Sequence, residues 1–217
     1  MAAHKAALRK AMSISLRSLS PSDLHHQSQI IVDRVLASPL FLHSKNVSCY
    51  LSMPTGEVET SALASAILRA GKTLFVPKID VAASGRMDFL KVYGEEDLRT
   101  FPAGAWGIKE PAYEFNGQRR SSALEEGSEQ LDLVLVPGVA FDRSLSRLGH
   151  GKGYYDRFIS SYSSSKSADG LKKPLLVALA LREQILEAGQ VPTALHDCKM
   201  DVIIGPEEVI GRLDHQD

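Results

Sequence analysis

The sequence predicts an α/β fold with a mainly parallel sheet covered on both faces, and three features carry that expectation. Short apolar runs rich in β-branched residues recur at 47–51, 73–77, 133–136, 175–181 and 202–204. Helical segments separate most of them, the arrangement that joins parallel strands by crossovers. The run at 133–136 is closed by Pro137-Gly138 and leads to a glycine-rich stretch, Arg147-Leu-Gly-His-Gly-Lys-Gly-Tyr-Tyr-Asp156. Open parallel sheets bind their ligands in loops at the carboxyl ends of strands.

In chain order, Leu8, Met12, Leu16 and Leu19 recur at the spacing of an apolar helix stripe. Residues 1–21 also hold no acid and carry Lys5, Arg9, Lys10 and Arg17, a composition that suits a mitochondrial transit peptide equally well. Ser20-Pro21-Ser22-Asp23 starts the next helix, with Ser20 as N-cap and Pro21 at the first helical position. It runs to about Ala37, with Leu24, Ile31 and Val35 inward, and Ser38-Pro39 ends it. His25 and His26, without further ligands nearby, read as solvated.

Val47–Leu51 is the first strand, followed by a Pro/Gly loop from Ser52 to Thr60. Thr60 is expected to cap a helix carrying Leu63, Ala66 and Ile67 that stops at Gly71. Residues 73–77 form a second strand, and 87–92, with more alternation, an edge strand. Residues 95–100 are too short to assign. The only tryptophan, Trp106, sits in a loop punctuated by Gly104, Gly107 and Pro111, where an aromatic usually packs as an anchor.

Residues 113–130 are polar, without periodicity, and read as a surface excursion of a single domain spanning 1–217. A second, serine-rich loop is expected at 162–170, followed by the solvated pair Lys172-Lys173. Strands at 175–181 and 202–204 complete the sheet, and no internal repeat is found.

Composition narrows the class. The chain has 217 residues, 44% apolar and 24% charged, with a formal net charge of −1. Such a balance suits one soluble domain and gives no global field for nucleic acid or an anionic membrane. No apolar stretch approaches the roughly 20 residues of a membrane helix. Cys49 and Cys198, neither in a CxxC, read as two reduced thiols in a reducing compartment. The expected protein is cytoplasmic and monomeric, with a mitochondrial location as the alternative.

The stretch 147–156 holds the chemistry. Glycines at 149, 151 and 153 let the backbone approach a ligand and take positive φ. Consecutive N–H groups, a helix starting near Gly153, Arg147 and Lys152 together form a site for phosphate. The spacing is not that of a Walker A loop, which needs Gly where Ser146 stands and Ser or Thr at Gly153. It is not a dinucleotide G-x-G-x-x-G either, because position 154 is Tyr. His196 and Cys198 alone are too few for zinc, and no G-x-S-x-G supports a serine hydrolase.

Pro137-Gly-Val-Ala-Phe-Asp142 together with 147–156 resembles the motif of the 5-formyltetrahydrofolate cyclo-ligases, also called methenyltetrahydrofolate synthetases, and the resemblance runs nearly end to end. It implies a three-layer α/β/α sandwich with a mainly parallel sheet. Lys5-Ala-Ala-Leu-Arg9 is similar to the family's K-x-x-L-R, which contacts ATP, so the N-terminus is expected to be a native helix. Leu51-Ser-Met53 and Glu57-Val-Glu-Thr60 resemble its folate-contacting segment, although Pro-Thr-Gly separates the halves here. Gly104–Pro111 resembles a G-x-x-G-I-x-E-P loop near the folate, which implies a role for Trp106.

The activity implied by the resemblance is an ATP-dependent cyclisation of 5-formyltetrahydrofolate to 5,10-methenyltetrahydrofolate through phosphorylation of the formyl oxygen. Lys152 and Arg147 would be catalytic. ATP would meet Lys5, Arg9, Arg147, Gly149, His150, Gly151, Lys152, Gly153 and Tyr154. Folate would meet Leu51, Met53, Glu57, Trp106 and Tyr155. Asp156 and Asp197 would hold Mg²⁺, which takes one or two protein carboxylates beside phosphate and water. Two other classes share parts of this pattern: a nucleotide-binding regulator without turnover, and a relative of sugar-phosphate isomerases or CoA-transferases that needs no ATP.

Overall fold

The computed structural model describes residues 1–80, 86–104, 107–168 and 172–213. The chain opens with helices α1 (Ala2–Arg17), α2 (Pro21–Ala37) and the short α3 (Pro39–His43). Next come strand β1 (Asn46–Ser48), helix α4 (Ser61–Arg69), β2 (Thr73–Asp80), β3 (Arg86–Val92) and α5 (Glu95–Arg99). A small hairpin, β4 (Glu114–Phe115) and β5 (Gln118–Arg119), precedes β6 (Leu133–Val136), β7 (Ala140–Asp142) and β8 (Arg147–Leu148). Helix α6 (Tyr154–Ala168), β9 (Leu175–Leu179), β10 (Ile185–Leu186), β11 (Val202–Ile204) and β12 (Val209–Gly211) complete the fold.

The main sheet has seven strands in the order β12-β11-β9-β6-β1-β2-β3. The five inner strands are parallel, and β3 and β12 close the edges antiparallel. Side chains alternate across the sheet, and both faces are apolar. In β6, Leu133 and Leu135 join the core beneath α2 and α4, while Val134 and Val136 join the core beneath α6. Val202 and Ile204 of β11 face one way and Ile203 the other. Each such fully buried side chain contributes about 1.5–3 kcal/mol relative to exposure. Helix α1 is amphipathic, with Met12 and Leu16 buried. Among the described residues no helix is long and apolar enough to cross a membrane.

Several boundaries differ from the sequence reading. The strand expected at 47–51 leaves the ladder after Ser48, because the Tyr50 carbonyl accepts from the Thr60 hydroxyl at 2.6 Å. That hydroxyl also accepts from the Ser52 N–H at 3.1 Å, so it is turned to the loop and makes no cap hydrogen bond to α4. The loop expected at 162–170 is helix to Ala168. Phe158 and Tyr162, four residues apart, are buried on one face, and the Tyr162 hydroxyl accepts from the Leu131 N–H at 2.7 Å. Serines dominate the composition there, while two aromatics decide the structure.

The strand expected at 175–181 ends at Leu179. Residues 95–99 are helical, and the polar 113–130 segment holds the β4–β5 hairpin and a buried arginine. Arg120 pairs with the equally buried Asp97 and lies 5.1–5.6 Å from the rings of Tyr93, Phe101 and Phe115. His25 and His26 are exposed as expected, and His25 Nδ1 lies 2.8 Å from Glu59 at the surface.

The stretch between Pro137 and the glycine loop is also not simply a loop. It forms a second sheet, β10-β7-β8. The fully buried Asp142 holds its turn: Oδ1 accepts from the Ser144 and Ser146 N–H groups and Oδ2 from Val191 N–H. This small sheet sets the direction in which Arg147 and the following glycines leave the scaffold.

Candidate active site

The loops after β1, β6 and β9 converge at the carboxyl ends of the parallel strands around one cleft of about 1350 Å³. Arg147, the first residue of β8, lines the cleft with a side chain 5% exposed. Its Nη2 donates to Asp156 at 2.8 Å and its Nη1 to the Pro137 carbonyl at 3.3 Å. Its buried Nε has no hydrogen-bond partner among the described residues. Asp156, in the first turn of α6, also accepts from the Cys198 N–H at 3.2 Å. The pair thus links the glycine loop, α6 and the segment after β9.

The three glycines are needed for different reasons. Gly151 and Gly153 take φ of +93° and +65°, the left-handed region that glycine enters without cost. Gly149 has an ordinary φ, but a Cβ there would sit 3.0 Å from the Arg147 guanidinium. Arg9, reaching in from α1, donates from Nε to the Gly149 carbonyl at 2.8 Å and packs against Gly151. Lys5, one turn earlier, pairs with Asp197. Lys152 is exposed on the loop and lines the cleft.

Leu51, Met53 and Glu57 line the same cleft. The Glu57 side chain is 7% exposed; Oε2 accepts from the Met53 N–H at 3.0 Å and Oε1 lies 3.3 Å from His150 Nε2. Tyr155 packs edge-on to Phe89, under the Arg147 guanidinium. Its hydroxyl is buried without a hydrogen-bond partner among the described residues. Burial and the nearby Glu57 carboxylate push the Tyr155 hydroxyl well above its usual pKa, so it remains a hydrogen-bond donor. Tyr154 turns partly into the core and stacks under Arg157.

Of the residues singled out from sequence, Lys5, Arg9, Leu51, Met53, Glu57, the stretch Arg147–Asp156 and Asp197 all line this cleft. Trp106 lies outside the described residues. Ile108 and Glu110, of the 104–111 loop that the resemblance places near folate, also line the cleft, and sequence reasoning missed the apolar wall of Pro77, Ile79 and Met87. Glu110 Oε2 accepts from Lys78 Nζ at 3.0 Å. Ile79 and Met87 are register partners across the β2–β3 pair, and that pairing was the one available signal for the wall.

The carboxylates test whether a divalent cation fits. Both oxygens of Asp156 and one of Asp197 already accept hydrogen bonds. Asp197 Oδ1 has only His196, 3.8 Å away. Burial alone would raise the Asp197 pKa, but Lys5 and the Ala194 amide outweigh it and hold the carboxyl below its ordinary value. Among the described residues no group of three or more His, Cys, Asp or Glu could hold a metal. The donor set is too sparse for zinc. It fits a hard cation that takes most of its oxygens from phosphate and water.

The parallel α/β scaffold thus gathers Lys5, Arg9, Arg147 and Lys152 around a glycine loop in a cleft that also has apolar lining residues. The chain belongs to the 5-formyltetrahydrofolate cyclo-ligase family, whose model matches residues 1–206. It is 36% identical over 214 residues to a probable 5-formyltetrahydrofolate cyclo-ligase of Schizosaccharomyces pombe, covering 98% of this chain and 100% of that one. It is 34% identical over 200 residues to the 5-formyltetrahydrofolate cyclo-ligase of Mus musculus, covering 92% of each. The solved structure of Aquifex aeolicus 5,10-methenyltetrahydrofolate synthetase superposes with a TM-score of 0.73 at 29% identity, covering 98% of this chain and 95% of that one.

Proposed function

We infer that this chain is a 5-formyltetrahydrofolate cyclo-ligase that uses ATP to close 5-formyltetrahydrofolate to 5,10-methenyltetrahydrofolate. The observation that carries the reading is one cleft lined by the phosphate-type loop 147–153, by segment 51–57 and by an apolar wall. A nucleotide-binding regulator would not need the last two.

In the proposed reaction the formyl oxygen attacks the γ-phosphorus and the bond to ADP breaks. The N5-formyl group becomes an N5-iminium phosphate. The N10 lone pair then attacks that carbon, the carbon–oxygen bond breaks, and phosphate leaves with the N10 proton. Lys152 and Arg147 neutralise the phosphoryl group in flight, where each preorganised donor has its largest effect. Lys5, Arg9 and the backbone of Gly149, His150, Gly151, Gly153 and Tyr154 hold the nucleotide. Leu51, Met53, Glu57 and Tyr155 hold the folate, with Trp106 assigned there by resemblance. The Tyr155 hydroxyl, buried and protonated, supplies one donor. Asp156 and Asp197 would hold Mg²⁺, whose chemistry is charge neutralisation on the phosphates. We take the enzyme as a cytoplasmic monomer acting on small molecules, with α1 part of the working protein. A relative in Arabidopsis thaliana carries a mitochondrial designation, and cell fractionation decides the compartment.

The test is turnover of purified protein with ATP, Mg²⁺ and 5-formyltetrahydrofolate. ADP and the conjugated methenyl chromophore should appear one for one, and neither when one substrate is omitted. ATP hydrolysis indifferent to folate, with no new chromophore, would overturn the reading.

A further inference from the structure

The contact between His150 and Glu57 joins the two halves of the cleft. Glu57 belongs to the segment after β1, His150 to the glycine loop after β8, and 93 residues separate them. The Glu57 carboxylate does two jobs at once. Oε2 accepts from Met53 N–H and so shapes the 53–57 turn, while the only partner of Oε1 among the described residues is His150. A shift of the imidazole therefore turns the carboxylate that sets the turn.

His150 stands between Gly149 and Gly151, ahead of Lys152 between Gly151 and Gly153. The loop is held from the other direction by Arg9, which grips the Gly149 carbonyl and packs against Gly151 at φ +93°. Its rotation has two restraints: Arg9 from the α1 side and Glu57 from the β1 side. An anion drawn into the loop's N–H groups fixes the peptide planes on either side of His150, and hence where its imidazole sits.

We propose that His150 is a positioning residue. Through Glu57 it couples the arrangement of the glycine loop to that of segment 53–57, so that nucleotide on one side tightens folate on the other. This rests on the cyclo-ligase reading. Coupling between two ligands is reciprocal, so ATP and folate raise each other's affinity by the same factor. A half-exposed imidazole at 3.3 Å from a carboxylate belongs at the weak end of such effects, on the order of fivefold.

The test measures the Kd of 5-formyltetrahydrofolate by calorimetry on the full chain, with and without saturating non-hydrolysable ATP analogue and Mg²⁺. The readout is the ratio of the two. Wild type should show a ratio of about 5, and His150→Ala a ratio near 1. His150→Gln, which keeps an N–H donor at similar reach, should restore part of it. Glu57→Gln combined with His150→Ala should lower the ratio no further than either change alone. A direct contact of His150 with phosphate would weaken nucleotide equally with and without folate and leave the ratio intact. That result, or a ratio near 1 in wild type, overturns the coupling. If the wild type bound neither ligand, the cyclo-ligase reading would fall and the coupling with it; normal turnover with an unchanged ratio in His150→Ala removes the coupling alone.

Discussion

Arg9→Met is the sharpest test of whether α1 belongs to the site. The substitution keeps a long, flexible, helix-compatible side chain and removes only the guanidinium. In the structure that group donates to the Gly149 carbonyl at 2.8 Å and lies against Gly151. A hydrogen bond from a charged donor contributes about 1.5–3 kcal/mol. At about 1.4 kcal/mol per decade, the apparent KM for ATP should rise roughly tenfold to a hundredfold. The helix should stay docked, because Met12 and Leu16 bury their side chains independently of Arg9. Even if the whole bond is lost from the fold, Tm should fall by no more than about 3–12 °C, at about 2–4 °C per kcal/mol for a chain of this size. The assay follows the methenyl chromophore while ATP is varied at saturating folate. Deleting residues 1–10 removes the Lys5–Asp197 pair as well, and should be worse than Arg9→Met. Wild-type KM for ATP in both proteins would refute the placement of α1 and revive the transit-peptide reading of this segment.

Lys152→Met should lower kcat by about 10²–10³ without unfolding the protein, since loss of one preorganised donor costs about 2.7–4 kcal/mol in the transition state; wild-type turnover in a folded variant would remove Lys152 from the reaction. Asp156→Asn and Asp197→Asn should each shift the Mg²⁺ titration of the rate to higher concentration, because an amide is a poorer ligand for a hard cation. Both titrations unchanged would leave these carboxylates as partners of Arg147 and Lys5 alone. The lowered pKa of Asp197 has a definite sign: it stabilises the fold above the ordinary carboxylate range, and that contribution is lost as pH falls through the folded-state value. Acid unfolding of Lys5→Met should therefore begin at higher pH than in wild type, and superimposable acid transitions would contradict it. Burial pushes the Cys49 thiol up to about 12, so native protein at about pH 8 should be alkylated at Cys198 long before Cys49, and equal labelling would mean that Cys49 is not enclosed.

The parts of this fold legible in sequence are those where one physical signal dominates. Leu133–Val136 is apolar at every position because both faces of β6 are covered, and its bounds emerge unchanged. Ser20, Pro21 and Asp23 start α2 as their local chemistry requires, with Asp23 N–H donating to Ser20 Oγ at 3.1 Å. The elements that went unread are those decided by distant partners. Tyr162 looks like one aromatic in a serine tract until Leu131, 31 residues earlier, supplies the N–H for its hydroxyl. Asp142 looks like a strand-end acid, yet it takes three N–H groups from two segments and so creates the small sheet that aims Arg147.

The cleft obeys the same division. Its glycines, cations and carboxylates are written locally, in residue types that phosphate chemistry demands. Its apolar wall is written across strands, in the register that sets Ile79 beside Met87. Arg147 shows how the two levels meet. Its charge is plain in the sequence, but a guanidinium 5% exposed, paired with Asp156, would be expensive to bury without that partner. Arg147→Met should for that reason cost stability as well as turnover, about 3–5 kcal/mol if Asp156 were wholly buried. Asp156 is 19% exposed and keeps the Cys198 amide, so the lower end of that range is expected. Adding Asp156→Asn to Arg147→Met should recover part of the stability and none of the activity. Denaturant unfolding of the two variants measures the first, the chromophore assay the second. If the second substitution recovered no stability, Arg147 would be held by packing against Tyr155 and the loop, with the Asp156 pair incidental.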